Sequence, residues 1–96
     1  MNVSWDQSKN LKNLEKHGVS FEDAQQLFLS GSDFLELYDD DHSVDEDRYI
    51  AIGIIVRGVV LVVWTERDED VVRIISARWA TPRERDRYLL YTEGLK

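Results

Sequence analysis

Between Arg48 and Arg78 the chain carries three runs of β-branched and aromatic residues, RYIAIGIIV, GVVLVVWTER and VVRIISARW, separated by very short polar joints. Val, Ile, Thr, Tyr and Trp suit a pleated, half-buried surface, because branching at Cβ restricts χ1 and the branched side chain packs well there. Arg57-Gly58 reads as the turn between the first two runs, and Asp68-Glu69-Asp70 as the turn between the second and third. Joints this short imply hairpins and therefore antiparallel pairing, since a parallel return needs a crossover of about a dozen residues. Everything else in the chain has to pack on this sheet.

The flanks read as helices. Asp6 can cap a first helix running to about His17, with Leu11 and Leu14 as its apolar content. At about 100° per residue, Lys9, Asn10, Asn13, Lys16 and His17 fall on one polar arc away from the two leucines. In the stretch EKHGVSFEDA, Gly18 suits the left-handed position just past a helix end, and Ser20 with Asp23 resembles a capping box for a second helix. That helix places Phe21, Ala24, Leu27 and Phe28 on one buried stripe. Thr81, Pro82 and Glu84 supply the cap, the first-turn proline and the capping-box acid of a last helix carrying Tyr88, Leu89 and Tyr91. The predicted fold class is α+β: a single antiparallel β-sheet packed with about three helices, in one domain spanning residues 1–96.

Charge narrows the ligands. The net charge of −7 opposes a nucleic-acid partner, because phosphate is bound by Lys and Arg. Yet residues 33–47, DFLELYDDDHSVDED, hold eight of the 19 acids and none of the 12 Lys and Arg, leaving 11 acids against 12 bases elsewhere. The segment reads first as a solvated loop; Asp39-Asp40-Asp41-His42-Ser43-Val44 lacks the glycine turn of a calcium loop. There is no cysteine, hence no disulfide framework and no thiolate site. The start MNVSWDQSKN has no basic or apolar leader segment, and no apolar run approaches the roughly 20 residues that span a bilayer. The expectation is a cytoplasmic protein without a membrane partner.

Arginines on an apolar sheet stand out. With a three-residue turn at 68–70, Thr65 faces Arg73, and Arg67 shares a face with Arg73. With a turn of even length the parity flips, and Arg67 shares a face with Ser76 and Arg78 instead. Any one of these arginines could be a snorkelling edge residue or the partner of a local acid. Three on adjoining strands, followed by Arg83, Arg85 and Arg87, suggest a cationic surface.

The phrases W-D-x-x-K (Trp5 to Lys9), K-H-G-V-S-F-E-D-A (Lys16 to Ala24), D-x-x-H-S-x-x-E-x-R (Asp39 to Arg48), T-E-R (Thr65 to Arg67), R-I-I-S-A-R (Arg73 to Arg78) and T-x-x-E-R (Thr81 to Arg85) occur in order along nearly the whole chain. Together they resemble the BrnT toxin family. The resemblance implies a bacterial type II toxin with a RelE-like fold that cleaves RNA and slows translation. It also implies a BrnA-type antitoxin whose ribbon-helix-helix domain binds DNA, so that operator DNA is met only through the antitoxin. Trp79 departs from the family, in which the residue after S-A-R is more often basic.

A ribonuclease without metal or cofactor needs a base for the 2′-hydroxyl, cations for the charge on the phosphorane oxygens and an acid for the leaving 5′-oxygen. His17, at a helix C-terminus that favours imidazolium, is a candidate acid, or else a solvent-facing residue at a helix end. Lys9 can hold a phosphate as a point charge. Arg67 and Arg78 are the first candidates for bidentate clamps and Arg73 the third. Glu66 reads as a base or as the acid that orients an arginine. Ser76 is a candidate substrate contact, and Tyr88 either stacks on a base or closes the core. A second class of function also fits: an inactive partner of a ribbon-helix-helix protein in an autorepressing complex.

Overall fold

The computed structural model describes residues 1–94. In chain order its elements are β1 (Asn2–Ser4), α1 (Gln7–His17), α2 (Phe21–Ala24), α3 (Gln26–Leu29), β2 (Leu35–Tyr38), a single 3-10 turn (Asp40–His42), β3 (Tyr49–Ile55), β4 (Gly58–Arg67), β5 (Val71–Trp79) and α4 (Pro82–Glu93). The three β-branched runs are β3, β4 and β5, joined by a two-residue turn at 56–57 and a three-residue turn at 68–70. Asp68 and Asp70 take positive φ of 53° and 65°, a conformation that Asp tolerates better than most residues.

The class is α+β with one sheet, in the order β1-β5-β4-β3-β2. Two edge strands join the three central ones. β2 lies inside the acidic segment that reads as a loop: Leu35 and Leu37 alternate with Glu36 and Tyr38 at the period of a strand with one face covered. β1 pairs with the start of β5 in parallel, Ser4 opposite Arg73. The helical caps are those read from sequence. Asp6 accepts from the Lys9 N–H, Gly18 turns left-handed at φ 74°, Ser20 accepts from the Asp23 N–H, and Thr81 with Glu84 closes a full capping box. The second helix is broken at Gln25 into α2 and α3, yet Phe21, Ala24, Leu27 and Phe28 are all buried.

Helices cover the sheet unequally. On one face, Val19, Phe21, Ala24, Leu27 and Phe28 pack against Ala51, Val60, Val62, Trp64, Val72, Ile74 and Ala77 in the main core. On the other, α4 contributes Tyr88 to a small cluster with Ile52 and Leu61, around which Leu35, Leu37, Ile50, Val59 and Val63 are only partly buried.

α1 turns its polar arc inward. Leu11 and Leu14 are 59% and 44% exposed, whereas Asn10 and Asn13 are buried. The cause is hydrogen bonding. β1 ends at Ser4, opposite Arg73, so the next stretch of β5 has no strand beside it on that edge. The Asn13 amide fills the gap, donating to the Ala77 carbonyl (2.7 Å) and accepting from the Ala77 N–H (3.1 Å). Asn10 likewise accepts from the Phe21 N–H (2.8 Å) and donates to Glu22 (2.6 Å), tying α1 to α2. Buried main-chain groups left without partners are costly, and here they outweigh the modest gain from burying two leucines.

Candidate active site

The register of β4 and β5 decides which arginines meet. Arg67 pairs with Val71 and Thr65 with Arg73, as a three-residue turn requires. The register then shifts between Val63 and Trp64, so that Ser76 faces Val63 and Arg78 faces Leu61, with Ile75 as the extra, bulged residue. Directly opposed residues point to the same face, and residues 61, 63, 65 and 67 of β4 share one. The bulge therefore puts Arg67, Arg73, Ser76 and Arg78 on a single face. Each of the two registers open from sequence holds for one stretch of the hairpin.

The acidic segment is pinned beside this face. The Asp39 N–H donates to the Arg48 carbonyl at 2.9 Å, closing the loop at its base. Ser43 Oγ accepts from the Arg48 N–H (2.9 Å) and donates to the Asp39 carbonyl (2.6 Å). His42 Nδ1 lies 3.0 Å from the Asp39 carboxylate. The Tyr38 hydroxyl donates to the Asp47 side chain (2.8 Å), and buried Thr65 donates its hydroxyl to the Asp47 carbonyl (2.6 Å). These bonds account for Asp39, His42 and Ser43 in the D-x-x-H-S-x-x-E-x-R stretch. They also carry its last two members, Glu46 and Arg48, to the end of β4.

There the side chains converge. Asp6, Lys9, Glu46, Arg48, Thr65, Arg67, Arg73, Ile74 and Ile75 line a partly open pocket of about 50 Å³. Four cations meet two carboxylates, so the lining is net positive within a chain of net charge −7. Lys9 comes from the first turn of α1, Arg67 from the end of β4, Arg73 from β5 beside the bulge and Arg48 from the base of the acidic loop. Asp6 is already engaged as the helix cap, accepting from the Lys9 N–H at 3.2 Å. Glu46 reaches Arg67 Nη2 at 3.6 Å and Arg48 Nε at 3.7 Å, both beyond hydrogen-bond length. Arg48 Nε is buried and has no hydrogen-bond partner among the described residues.

The other sequence candidates lie elsewhere. His17 is eight residues beyond Lys9 on α1, about 12 Å of helical rise away; it sits next to Gly18, against which Trp79 packs. Arg78 shares the face of Arg67 but is five residues beyond Arg73, about 15 Å of strand. Its guanidinium is taken up by Glu84 in a two-pronged pair at 2.8 Å and 2.8 Å. The Arg78 hydrogen bonds hold the Glu84 carboxyl down at about 2, against the opposing effect of burial, and they raise the Arg78 guanidinium in turn. Tyr88 is buried against Ile52 and Leu61 with its hydroxyl directed at the Asp33 carbonyl, so its ring is committed to packing. Ser76 sits between Arg73 and Arg78 and does not line the pocket.

Glu66 alternates onto the face opposite Arg67, which separates it from the arginines. The acid beside Arg67 is instead Glu46. Sequence reading missed Glu46 and Arg48 as site residues, although both stand in a quoted motif. The available signal was an acid and an arginine two apart at the end of an otherwise base-free segment. Trp79 has a structural post: the Arg57 guanidinium lies over its ring at 5.3 Å, and Gly18 and Gly58 pack against it.

Residues 5–84 match the family model described as the ribonuclease toxin, BrnT, of type II toxin-antitoxin systems. The fold is similar to the crystal structure of the Brucella abortus ribonuclease toxin BrnT, with a TM-score of 0.63 and 26% sequence identity, covering 84% of this chain and 97% of that one. No curated protein matches the chain.

Proposed function

The chain belongs to the BrnT family of ribonuclease toxins of type II toxin-antitoxin systems, and on that premise we propose that it is an endoribonuclease whose scissile phosphate enters the pocket of Lys9, Arg67 and Arg73. The observation that carries this reading is the convergence of those three cations, from three separate elements, on one small pocket in an acidic protein. In RNA transesterification the 2′-hydroxyl gives up its proton, here to solvent, as its oxygen attacks phosphorus; the bond from phosphorus to the 5′-oxygen breaks, and negative charge builds on the non-bridging oxygens. Arg67 and Arg73 offer planar forks to those oxygens. Lys9, with three N–H donors, is the lining residue able to pass a proton to the departing 5′-oxygen. Donors fixed where charge develops are typically worth about 10²–10³ in rate each. The reaction runs without a metal, since the cations supply the charge.

Cleavage of cellular RNA by such a site inhibits translation in the cytoplasm. The partner that neutralises it is a BrnA-type antitoxin with a ribbon-helix-helix domain, through which the pair meets operator DNA. The α4 side of the sheet supports a protein partner: one helix covers it incompletely, and Ile54 on that side is 51% exposed. Purified chain incubated with a defined RNA and excess EDTA should yield products ending in 2′,3′-cyclic phosphate, and Arg67→Ala should abolish them. Cleavage that needs an added divalent ion, or that survives Lys9→Ala, Arg67→Ala and Arg73→Ala alike, would overturn the reading.

A further inference from the structure

We propose that Arg48 is a further phosphate-binding residue of this pocket, and that Glu46, lying between Arg48 and Arg67, is the group an incoming RNA phosphate displaces. The proposal rests on the reading of the pocket as the RNA site and adds an occupant and a fourth cation to it.

The geometry of the two partners differs. Arg48 is anchored through its own main chain, which donates to Ser43 Oγ and accepts from the Asp39 N–H. Its Nε is shielded from solvent without an acceptor among the described residues. Glu46 is the nearest acceptor, and its two oxygens divide between two guanidiniums at 3.7 Å and 3.6 Å rather than forming a fork with either. Among the described residues no hydrogen bond holds the Glu46 side chain. A carboxylate placed like this neutralises two cations without satisfying them. The two non-bridging oxygens of a phosphodiester have the same bridging arrangement as the two carboxylate oxygens. They would bring Arg48 and Arg67 acceptors at full hydrogen-bond length, about 2.7–2.9 Å for charged pairs.

Size and charge agree. The pocket, about 50 Å³, has room for only a few waters, each of which takes roughly 10–15 Å³ on the same measure. It admits a phosphoryl group and excludes a base, so the group that enters is the backbone. Before entry Glu46 opposes any polyanion; once displaced into solvent it leaves four cations facing a single phosphate. The acidic loop, which from composition alone argues against RNA, thus carries both a binding arginine and a gate on the site. RNA has to exchange with Glu46 in order to bind.

The test is anisotropy of a fluorescent 2′-O-methyl oligoribonucleotide, which binds but has no free 2′-hydroxyl to react, across a series of salt concentrations. Arg48→Ala and Arg48→Gln should each weaken binding by about tenfold and flatten the slope of log affinity against log salt by nearly one phosphate's worth. Glu46→Gln, which keeps shape and removes charge, should tighten binding several-fold. Circular dichroism of each variant confirms the fold. Weakened or unchanged binding by Glu46→Gln would overturn the displacement. So would loss of cleavage with unchanged binding, which would make Glu46 a proton acceptor instead. If Arg67→Ala weakens binding and the Arg48 variants do not, only the fourth cation fails. If Arg67→Ala binds like wild type, the pocket is not the RNA site and the whole reading falls.

Discussion

Two arginine–carboxylate arrangements occupy the same face of one sheet, about 15 Å apart along β5. At one end, Arg78 and Glu84 are joined by two hydrogen bonds of 2.8 Å, and Glu84 also caps α4. At the other, Glu46 stands between Arg48 and Arg67 at 3.7 Å and 3.6 Å and completes a hydrogen bond with neither. The first pair is saturated, with the charges matched and the fork filled. The second leaves donors in reserve. Residue type does not separate the two; an arginine near a glutamate describes both. What separates them is whether the guanidinium already has the acceptors it can use, and that distinguishes a group holding the fold together from one available to a substrate.

The largest expected effect tests that division directly. Arg67→Ala should lower RNA cleavage by about 10²–10³-fold, the usual cost of one donor aimed at developing charge, and should shift Tm by less than about 2 °C, because the side chain is exposed and loosely paired. Kinetics and a thermal melt on the same preparation check it. The division fails if Arg78→Ala matches that loss of activity with Tm unchanged.

Next comes Glu84→Ala, which removes both the fork on Arg78 and the reciprocal capping contact, and should destabilise by about 1–2 kcal/mol. For a domain of this size that is a fall in Tm of several degrees, measurable by calorimetry, with RNA cleavage at room temperature largely kept.

A smaller effect lies in the acid limb. Because the Glu84 carboxyl titrates at about 2 in the fold against an ordinary 4.5, its stabilisation is present in full above about 4.5 and is lost as pH falls toward 2. Discounted for solvent screening, the loss should be about 1 kcal/mol. Urea melts at pH 6 and pH 3 should show it in the parent and not in Glu84→Gln. The smallest effect belongs to His17→Ala, which should reduce cleavage less than about tenfold, since about 12 Å of helix separates it from Lys9. A flattened pH profile for that variant would return the histidine to the chemistry.

What was legible in the sequence follows the same distinction between local and distant partners. Caps at Asp6, Ser20 and Thr81, the left-handed Gly18 and the turn at 68–70 each depend on a few consecutive residues, and they stand where local rules put them. β2 was hidden because an acidic composition masked its two-residue alternation. The face of α1 was hidden for a deeper reason. Hydrophobic periodicity assumes that a helix buries apolar side chains, but α1 meets the open edge of β5, which asks for hydrogen-bonding groups. In the site, Arg67 and Arg73 could be picked out by charge on an apolar background, and Lys9 by its place on the polar arc of α1. That Ser76 and Arg78 share their face could not, because it depends on a bulge at Ile75, and the company of Glu46 and Arg48 could not, because it depends on a loop closed by Ser43. Both are pairings between residues distant in sequence, or departures from the two-residue alternation by which faces are read.

The amide of Asn13 has a consequence for how copies of this chain behave in a crowded solution. By pairing with the Ala77 main chain it seals the one stretch of β5 that β1 does not cover there, so the flank of a nine-residue strand is shielded. The outermost strands are then β1 and β2, three and four residues long, and the second carries Glu36. Short, charged edges are poor templates for strand addition. Replacing Asn13 with leucine would satisfy the hydrophobic pattern of α1 and expose that flank, and the outcome to look for is concentration-dependent fibril growth in light scattering.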